Sequence, residues 1–143
     1  VKARVCSMAV LEAMQVAVAA IFVAINVNIY PQGNFLIDAN IAFLGCVFVM
    51  YGVFNLVFFP MYYKTTYKIG VPLLVALTVT FLFTAVIELL VVLVPSVAFI
   101  LDGVTSAALI RQIPVLIAGI LLFALLTTLA YQRSKRKFAE VDL

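Results

Sequence analysis

Residues that carry chemistry are scarce in this sequence. It contains no histidine, no tryptophan, two cysteines and only six acidic residues. Without histidine, imidazole metal ligands and histidine-based acid–base catalysis are excluded. Cys6 and Cys46 cannot complete a structural zinc site by themselves, and they are expected at different depths, which disfavours a disulfide. There is also no phosphate-binding loop and no serine or cysteine with a partner base, so we predict that the chain is not an enzyme.

Apolar residues dominate the composition instead. They make up 67% of the 143 residues, whereas charged residues make up 10%. Soluble domains have about 45–50% apolar and about 25% charged residues, so this chain needs the lipid bilayer as its solvent. Its nine basic residues flank the apolar runs in short clusters. Such clusters are typical of membrane anchoring, and no nucleic-acid partner is expected.

Four apolar runs are long enough to cross a hydrocarbon core of about 30 Å. They are predicted at residues 8–29, 37–63, 69–94 and 113–131, within a single transmembrane helical domain over residues 1–143. A turn at residues 30–34 and a polar loop at residues 64–68 separate the first three spans. Residues 132–143 are expected to form a basic tail.

The fold class is therefore predicted to be an all-α integral membrane protein with four transmembrane helices. Residues 96–111 are apolar but too short to span, so they are predicted to form a re-entrant or interfacial element between spans three and four. A β-barrel is a poor alternative because residues 71–93 are almost unbroken apolar sequence, whereas barrel strands alternate.

The basic residues predict the orientation. Four spans place eight of the nine on one side, and only Arg111 on the other. The positive-inside rule makes the richer side cytoplasmic, with both termini on it.

Glu88 is the ionisable residue predicted to lie deepest in a span. Thr80, Thr84 and Glu88 are spaced i, i+4, i+8 and form one polar stripe. A carboxylate in hydrocarbon costs several kcal/mol, so the stripe should face the bundle interior or a cavity. We interpret it, with Asn55, as a candidate substrate path. The alternative is a structural hydrogen bond from Glu88 to Arg111 or to an asparagine of span two.

Two other groups of residues are expected to be structural first. Gly45 and Gly52 lie on nearly one face of span two, and with Asn40 they are predicted to serve helix packing, inside the bundle or between two chains. Glu12 lies about one turn into span one and is expected at the membrane interface near Arg4.

The run YGVFNLVFFPMYYK at residues 51–64, after NIAFLG at residues 40–45, resembles bacterial ABC-2 type transporter permeases. In that family a span commonly ends in a Phe/Leu-rich stretch, proline, an aromatic residue and lysine before a short cytoplasmic turn, which YKIG at residues 67–70 fits. YQRSKRKF at residues 131–138 is similar to the basic tail after the family's last span. Family permeases typically have six spans. This chain begins with Val1 rather than Met and has four spans, so we expect it to be the last four of a longer protein.

The resemblance implies the transmembrane subunit of an ATP-binding-cassette exporter in the bacterial cell membrane. Two permease chains, identical or different, would each couple to a cytoplasmic ATPase subunit, which would hold the ATP and Mg²⁺; this chain would need no cofactor. The coupling contacts would lie on cytoplasmic loops, and Tyr63, Lys64 and Lys68 are the local candidates. Two alternatives stay open: a proton-coupled four-helix carrier that uses Glu88 or Glu12, and a membrane assembly subunit that transports nothing.

Overall fold

The computed structural model describes residues 1–29 and 37–141, and these residues form five helices. The helices are α1 (Lys2–Asn28), α2 (Ile41–Lys64), α3 (Gly70–Leu93), α4 (Pro95–Leu101) and α5 (Ser106–Val141). All but α4 are long and apolar enough to cross a membrane. The predicted all-α class is confirmed, with four candidate spans and a short helix between the third and the fourth. The predicted turn at residues 30–34 and the last two residues of the tail lie outside the described residues.

The helix boundaries differ from the predicted spans where polar residues flank an apolar run. Helix α1 starts at Lys2, six residues before the predicted span, because flanking charged residues are compatible with helix although they are not apolar. Helix α2 starts at Ile41 rather than at residue 37. The Asn40 side chain accepts a hydrogen bond from the Phe43 N–H at 2.9 Å and so caps the helix.

The last helix is much longer than the predicted fourth span. Helix α5 has 36 residues, or about 54 Å at 1.5 Å per residue, so it exceeds a hydrocarbon core of about 30 Å. Its first turns take up residues 106–111, which had been predicted to belong to the short element. Its last turns contain the basic residues of the predicted tail, which is therefore helical through Val141.

Helices α2 and α5 form the centre of the structure. A Cβ on Gly45 would lie 2.7 Å from the Val115 carbonyl oxygen, and a Cβ on Gly119 would overlap the backbone of Gly45. About two turns further along α2, a Cβ on Gly52 would lie 3.0 Å from a Leu126 methyl group. Small residues allow this approach, which brings many backbone and side-chain atoms into dispersion contact in a solvent that gives no hydrophobic drive.

Helices α1 and α3 pack on α2 and run antiparallel to it. Val16 and Val23 of α1 pack with Leu44 of α2 in one buried cluster. The chain termini and the α2–α3 loop lie together at one end of the bundle, which we call the basic end. Residues 37–40 and α4 lie at the other, which we call the far end.

Two buried amide side chains form hydrogen bonds between elements at the far end. Asn40 Nδ2 donates to the carbonyls of Leu101 and Gly103, both at 3.0 Å. Gln112 Nε2 donates to the carbonyls of Asp102 and Gly103, and its Oε1 accepts from the Ala42 N–H at 3.3 Å. Both side chains are fully buried. The segment between α4 and α5 is thereby held at the start of α2, and the carbonyls of Leu101, Asp102 and Gly103 accept bonds from protein side chains rather than from water.

Replacing Gly119 with alanine tests the central contact. Because the added methyl group would overlap Gly45, the helices must shift, and we expect Gly119→Ala to lower the free energy of unfolding by about 1–3 kcal/mol. Gly70→Ala is the matched control, since nothing lies within 4 Å of a Cβ there. The control should be neutral or stabilising by up to about 1 kcal/mol. Unfolding of the purified chain in detergent measures both, and equal effects would contradict the close packing.

Candidate functional site

Glu12 is a buried carboxyl group inside the bundle. Its side chain is 1% exposed, and Asn55 Nδ2 of α2 donates to its Oε2 at 2.7 Å. The same Nδ2 donates to Thr127 Oγ1 of α5 at 3.2 Å, so one amide links three helices. The Glu12 side chain therefore lies inside the bundle on Asn55 and does not extend along the surface toward Arg4 as expected. Because α1 begins at Lys2, Glu12 is about 15 Å from the start of the helix.

Two oxygen atoms of this cluster have no partner among the described residues. They are Glu12 Oε1 and Asn55 Oδ1, both buried. Glu12 also forms no ion pair within the described part of the chain. An unpaired buried acceptor costs about 1–3 kcal/mol, and more if it is charged. The cluster is thus short of hydrogen-bond donors and of positive charge.

A cleft of about 170 Å³ adjoins Glu12, between α1, α2 and α3. We call it the Glu12 cleft. It is lined by Met8, Glu12, Met50, Tyr51, Phe54, Leu77 and Thr80. The surface that these side chains present to the cleft is apolar, because the Glu12 carboxyl group is buried behind it and bonded to Asn55.

A second cleft lies between α2 and α3, nearer the far end. It also has a volume of about 170 Å³, and Thr84 and Glu88 line it. Met50 lines both clefts. Thr80 and Thr84 of the predicted polar stripe thus face adjoining clefts, although their hydroxyl groups donate to the carbonyls of Ala76 and Thr80 within their own helix. The structure therefore places the stripe of Thr80, Thr84 and Glu88 on the side of α3 that faces α2.

Glu88 is half-buried, and its partner is neither of those expected. Its Oε2 accepts the Ile37 backbone N–H at 3.0 Å, just before α2. Arg111 instead donates Nε to the Phe99 carbonyl at 2.9 Å, and its guanidinium carbon lies 3.7 Å from the centre of the Phe99 ring. The sequence could not indicate either pairing, because one partner is a backbone group and the other lies on the short α4.

The remaining predicted residues lie on α2 and face other elements. Gly45 and Gly52 face α5 of the same chain, and Asn55 belongs to the Glu12 cluster. Asn40 caps α2 and binds the α4–α5 segment.

The loop after α2 has an uncommon backbone conformation. Thr66 and Tyr67 have φ angles of 56° and 67°, in the left-handed region. The Tyr67 N–H donates to the Tyr62 carbonyl at 3.0 Å, which is the helix-ending bond that usually accompanies a glycine at the position of Thr66. A β-branched residue there costs roughly 1–2 kcal/mol, so neighbouring contacts must hold the turn in place.

Aromatic rings and one arginine provide those contacts. The ring of Tyr67 packs on Tyr62 and Tyr63 at 5.6 and 5.8 Å. The Arg4 guanidinium donates to the Tyr62 hydroxyl at 2.6 Å and lies 5.6 Å from the Tyr67 ring centre. Tyr63 also packs on Phe138 of α5. We call these five residues the aromatic cluster; it joins α1, α2, the loop and α5 at the basic end.

The three residues predicted to contact a partner ATPase lie in two different environments. Lys64 at the end of α2 and Lys68 in the loop are exposed. Tyr63 is 3% exposed and packs with Val5 and Phe59 beneath it. Tyr63 therefore supports the loop from inside, and only the two lysines are available to a partner.

Stacked rings connect the aromatic cluster to the Glu12 cleft. Phe54 stacks on Phe58 at 5.3 Å, and Phe58 stacks on Tyr62 at 5.6 Å, at i, i+4 and i+8 of α2. Phe54 lines the Glu12 cleft, whereas Tyr62 contacts Arg4 and Tyr67. One face of α2 therefore contacts the cleft at one point and the loop at another.

A neighbouring pair of threonines tests the Glu12 cluster. Thr127 accepts a hydrogen bond from Asn55, whereas Thr128 is exposed and, among residues 1–29 and 37–141, bonds only to the Ala124 carbonyl of its own helix. We expect Thr127→Val to lower the free energy of unfolding by about 0.6–2 kcal/mol, the range for interhelical hydrogen bonds in membrane proteins. Thr128→Val should stay within about 0.5 kcal/mol of the native chain. Unfolding in detergent distinguishes them; the reverse order would contradict the interhelical bond.

Comparison with known proteins adds no family to this description. The chain matches no protein-family model, no curated protein and no solved structure. The clefts, the buried carboxyl group and the loop are therefore the features of this chain that bear on its function.

Proposed function

We propose that this chain is the transmembrane permease subunit of an ATP-driven exporter. In this proposal the clefts along α2 form part of the substrate path, and a separate cytoplasmic subunit hydrolyses ATP. The protein lies in the bacterial cell membrane with its basic end in the cytoplasm, because eight of its nine basic residues are at that end. A second permease chain completes the path, since the clefts of one chain are small and lie at its surface.

The strained loop at residues 65–68 is the observation that carries the proposal. Strained backbone persists only where its surroundings hold it, and it is common at switch regions and binding sites. Here Lys64 at the end of α2 and Lys68 in the loop are exposed, while the aromatic cluster fixes the loop to three helices. A partner that binds the two lysines would therefore act on α1, α2 and α5 together rather than on a loose segment.

The stacked rings of Phe54, Phe58 and Tyr62 supply a route from that partner to the substrate path. Rings in van der Waals contact along one helix face move together when the helix tilts or rotates. A displacement of the loop would therefore change the position of Phe54 in the wall of the Glu12 cleft.

Charge reversal on the loop tests the partner site. We expect Lys64→Glu with Lys68→Glu to reduce co-purification of the native ATPase subunit by roughly tenfold or more, because rim charges set encounter and register. Lys135→Glu with Arg136→Glu is the matched control, since it reverses two exposed charges on α5 at the same end. The measurement is quantitative mass spectrometry after gentle purification of the full-length protein. If the ATPase subunit is recovered equally with the native chain and with the loop variant, the two lysines are not its docking site.

A proton-coupled carrier is the second candidate, and the burial of Glu12 favours it. A carboxyl group with a free oxygen atom, deep in an apolar bundle, can exchange a proton without losing its bond to Asn55. This function would need no ATPase.

Transport by vesicles containing this chain alone distinguishes the two candidates. If the chain is a carrier, a pH gradient should drive uptake, and Glu12→Gln should abolish it because glutamine cannot carry the proton; Glu88→Gln asks the same of the second cleft. If it is an exporter subunit, the chain alone should show no gradient-driven uptake, and transport should appear only with the ATPase and ATP. If both variants retain uptake, neither carboxyl group couples transport to protons.

A further inference from the structure

A shallow groove runs between α1 and α2 at the basic end, and we call it the α1–α2 groove. Its volume is about 380 Å³, and its lining is apolar apart from two side chains, Arg4 and Ser7. Both are exposed, and because they lie three residues apart they share one face of α1. The described lining contains no acidic side chain. The groove therefore combines an apolar body with a single cationic end.

Arg4 is held in place at that end but keeps most of its donors. Its Nη1 donates to the Tyr62 hydroxyl at 2.6 Å, and its guanidinium lies 5.6 Å from the centre of the Tyr67 ring. A guanidinium group has five N–H donors, and among the described residues Arg4 forms this one hydrogen bond and no ion pair. The Ser7 hydroxyl bonds to no group in the described part of the chain. A positioned guanidinium with several N–H groups to spare matches the geometry of a phosphate group.

The apolar part of the groove is open to the surroundings of the bundle. Leu11 in its wall is 50% exposed, and Ala3 is also exposed. No Cα of α1 lies within 8 Å of a Cα of α3 among the described residues, so α3 does not cover α1. Since α1 is a candidate membrane span, what surrounds this opening is lipid.

The length of the groove suits an acyl chain. From Arg4 to Leu11 it extends about 10 Å along α1, whereas the hydrocarbon of one leaflet is about 15 Å thick. Met8 lines both this groove and the Glu12 cleft, so the apolar surface continues beyond Leu11 toward the middle of the bundle. A chain that starts beside Arg4 would therefore have apolar contacts through most of its leaflet.

We propose that the α1–α2 groove binds one anionic phospholipid of the leaflet at the basic end. The phosphate lies on Arg4 and the Ser7 hydroxyl, and one acyl chain lies along Met8, Leu11 and Phe58. Eight of the nine basic residues are at this end, so the leaflet there is the one that attracts anionic lipids. This inference goes beyond the proposed transport function and does not depend on it, because the binding requires neither an ATPase nor a substrate.

Three probes separate the charge from the acyl chain. Phosphatidylglycerol is anionic, phosphatidylcholine with identical acyl chains is zwitterionic, and glycerol phosphate carries the anionic group without a chain. Native mass spectrometry of the purified full chain in non-ionic detergent should show one phosphatidylglycerol bound per chain. Phosphatidylcholine should bind about fivefold more weakly, or less, because its ammonium group offsets the phosphate charge. Millimolar glycerol phosphate should not displace the lipid.

Variants of Arg4 assign the headgroup. Arg4→Gln should weaken phosphatidylglycerol binding by about fivefold or more, whereas Arg4→Lys, which keeps the charge, should recover part of the affinity. Arg133→Gln is the matched control, since Arg133 is exposed on α5 at the same end and does not line the groove. Its binding should equal that of the native chain. Thermal unfolding of each variant verifies that it is folded.

A pair of alanines assigns the acyl chain. Ala3→Phe fills the groove and should weaken binding by roughly tenfold, the equivalent of about two buried methylene groups. Ala13→Phe makes the same change at an exposed position of α1 outside the groove and should leave binding unchanged.

Four results would overturn the proposal. Equal binding of the two phospholipids, or equal binding by the native and Arg4→Gln chains, would show that Arg4 does not select an anionic headgroup. Displacement by glycerol phosphate would identify a simple anion site. A dimer in detergent that Ala3→Phe dissociates would show that a second copy of this chain, and not a lipid, covers the groove.

Discussion

The close approach of α2 and α5 at Gly45 and Gly119 is the contact on which the rest of the structure depends. In lipid, apolar side chains gain nothing by leaving their solvent, so association of helices must come from packing density and hydrogen bonds. The glycines bring the two backbones into contact. That contact fixes the register of the two helices, and this register brings Asn55 and Thr127 within hydrogen-bond distance further along.

Helix α1 joins this centre through polar groups as well as apolar packing. Glu12 meets Asn55, Gln15 accepts from the Tyr51 hydroxyl at 2.7 Å, and Arg4 meets Tyr62. The first two bonds satisfy groups within the apolar part of the bundle, and the third lies at the basic end, so together they specify how α1 lies along α2. The same arrangement leaves one carboxyl oxygen of Glu12 without a partner among the described residues, and the carrier hypothesis depends on that atom.

The two ends of the bundle are held by different chemistry. At the far end, the buried amides of Asn40 and Gln112 make directional bonds to backbone groups of the α4–α5 segment. At the basic end, aromatic rings and Arg4 hold a turn that contains two left-handed residues. The proposed coupling to a partner lies at the basic end, where the aromatic cluster connects the loop to three helices.

Composition and hydropathy alone determined the class of this protein: all-α, with four long apolar helices able to span a membrane and a short element between the last two. Long apolar runs must form helices in lipid, whatever their neighbours, so this part is local information. Tertiary structure decided the rest. Whether a carboxyl group is buried depends on which helix face meets which, and α1 turned Glu12 inward to Asn55, whereas Glu88 found a backbone N–H at a helix start. Neither pairing has a sequence signal, because hydropathy measures how apolar a segment is and not which residue of another helix it touches.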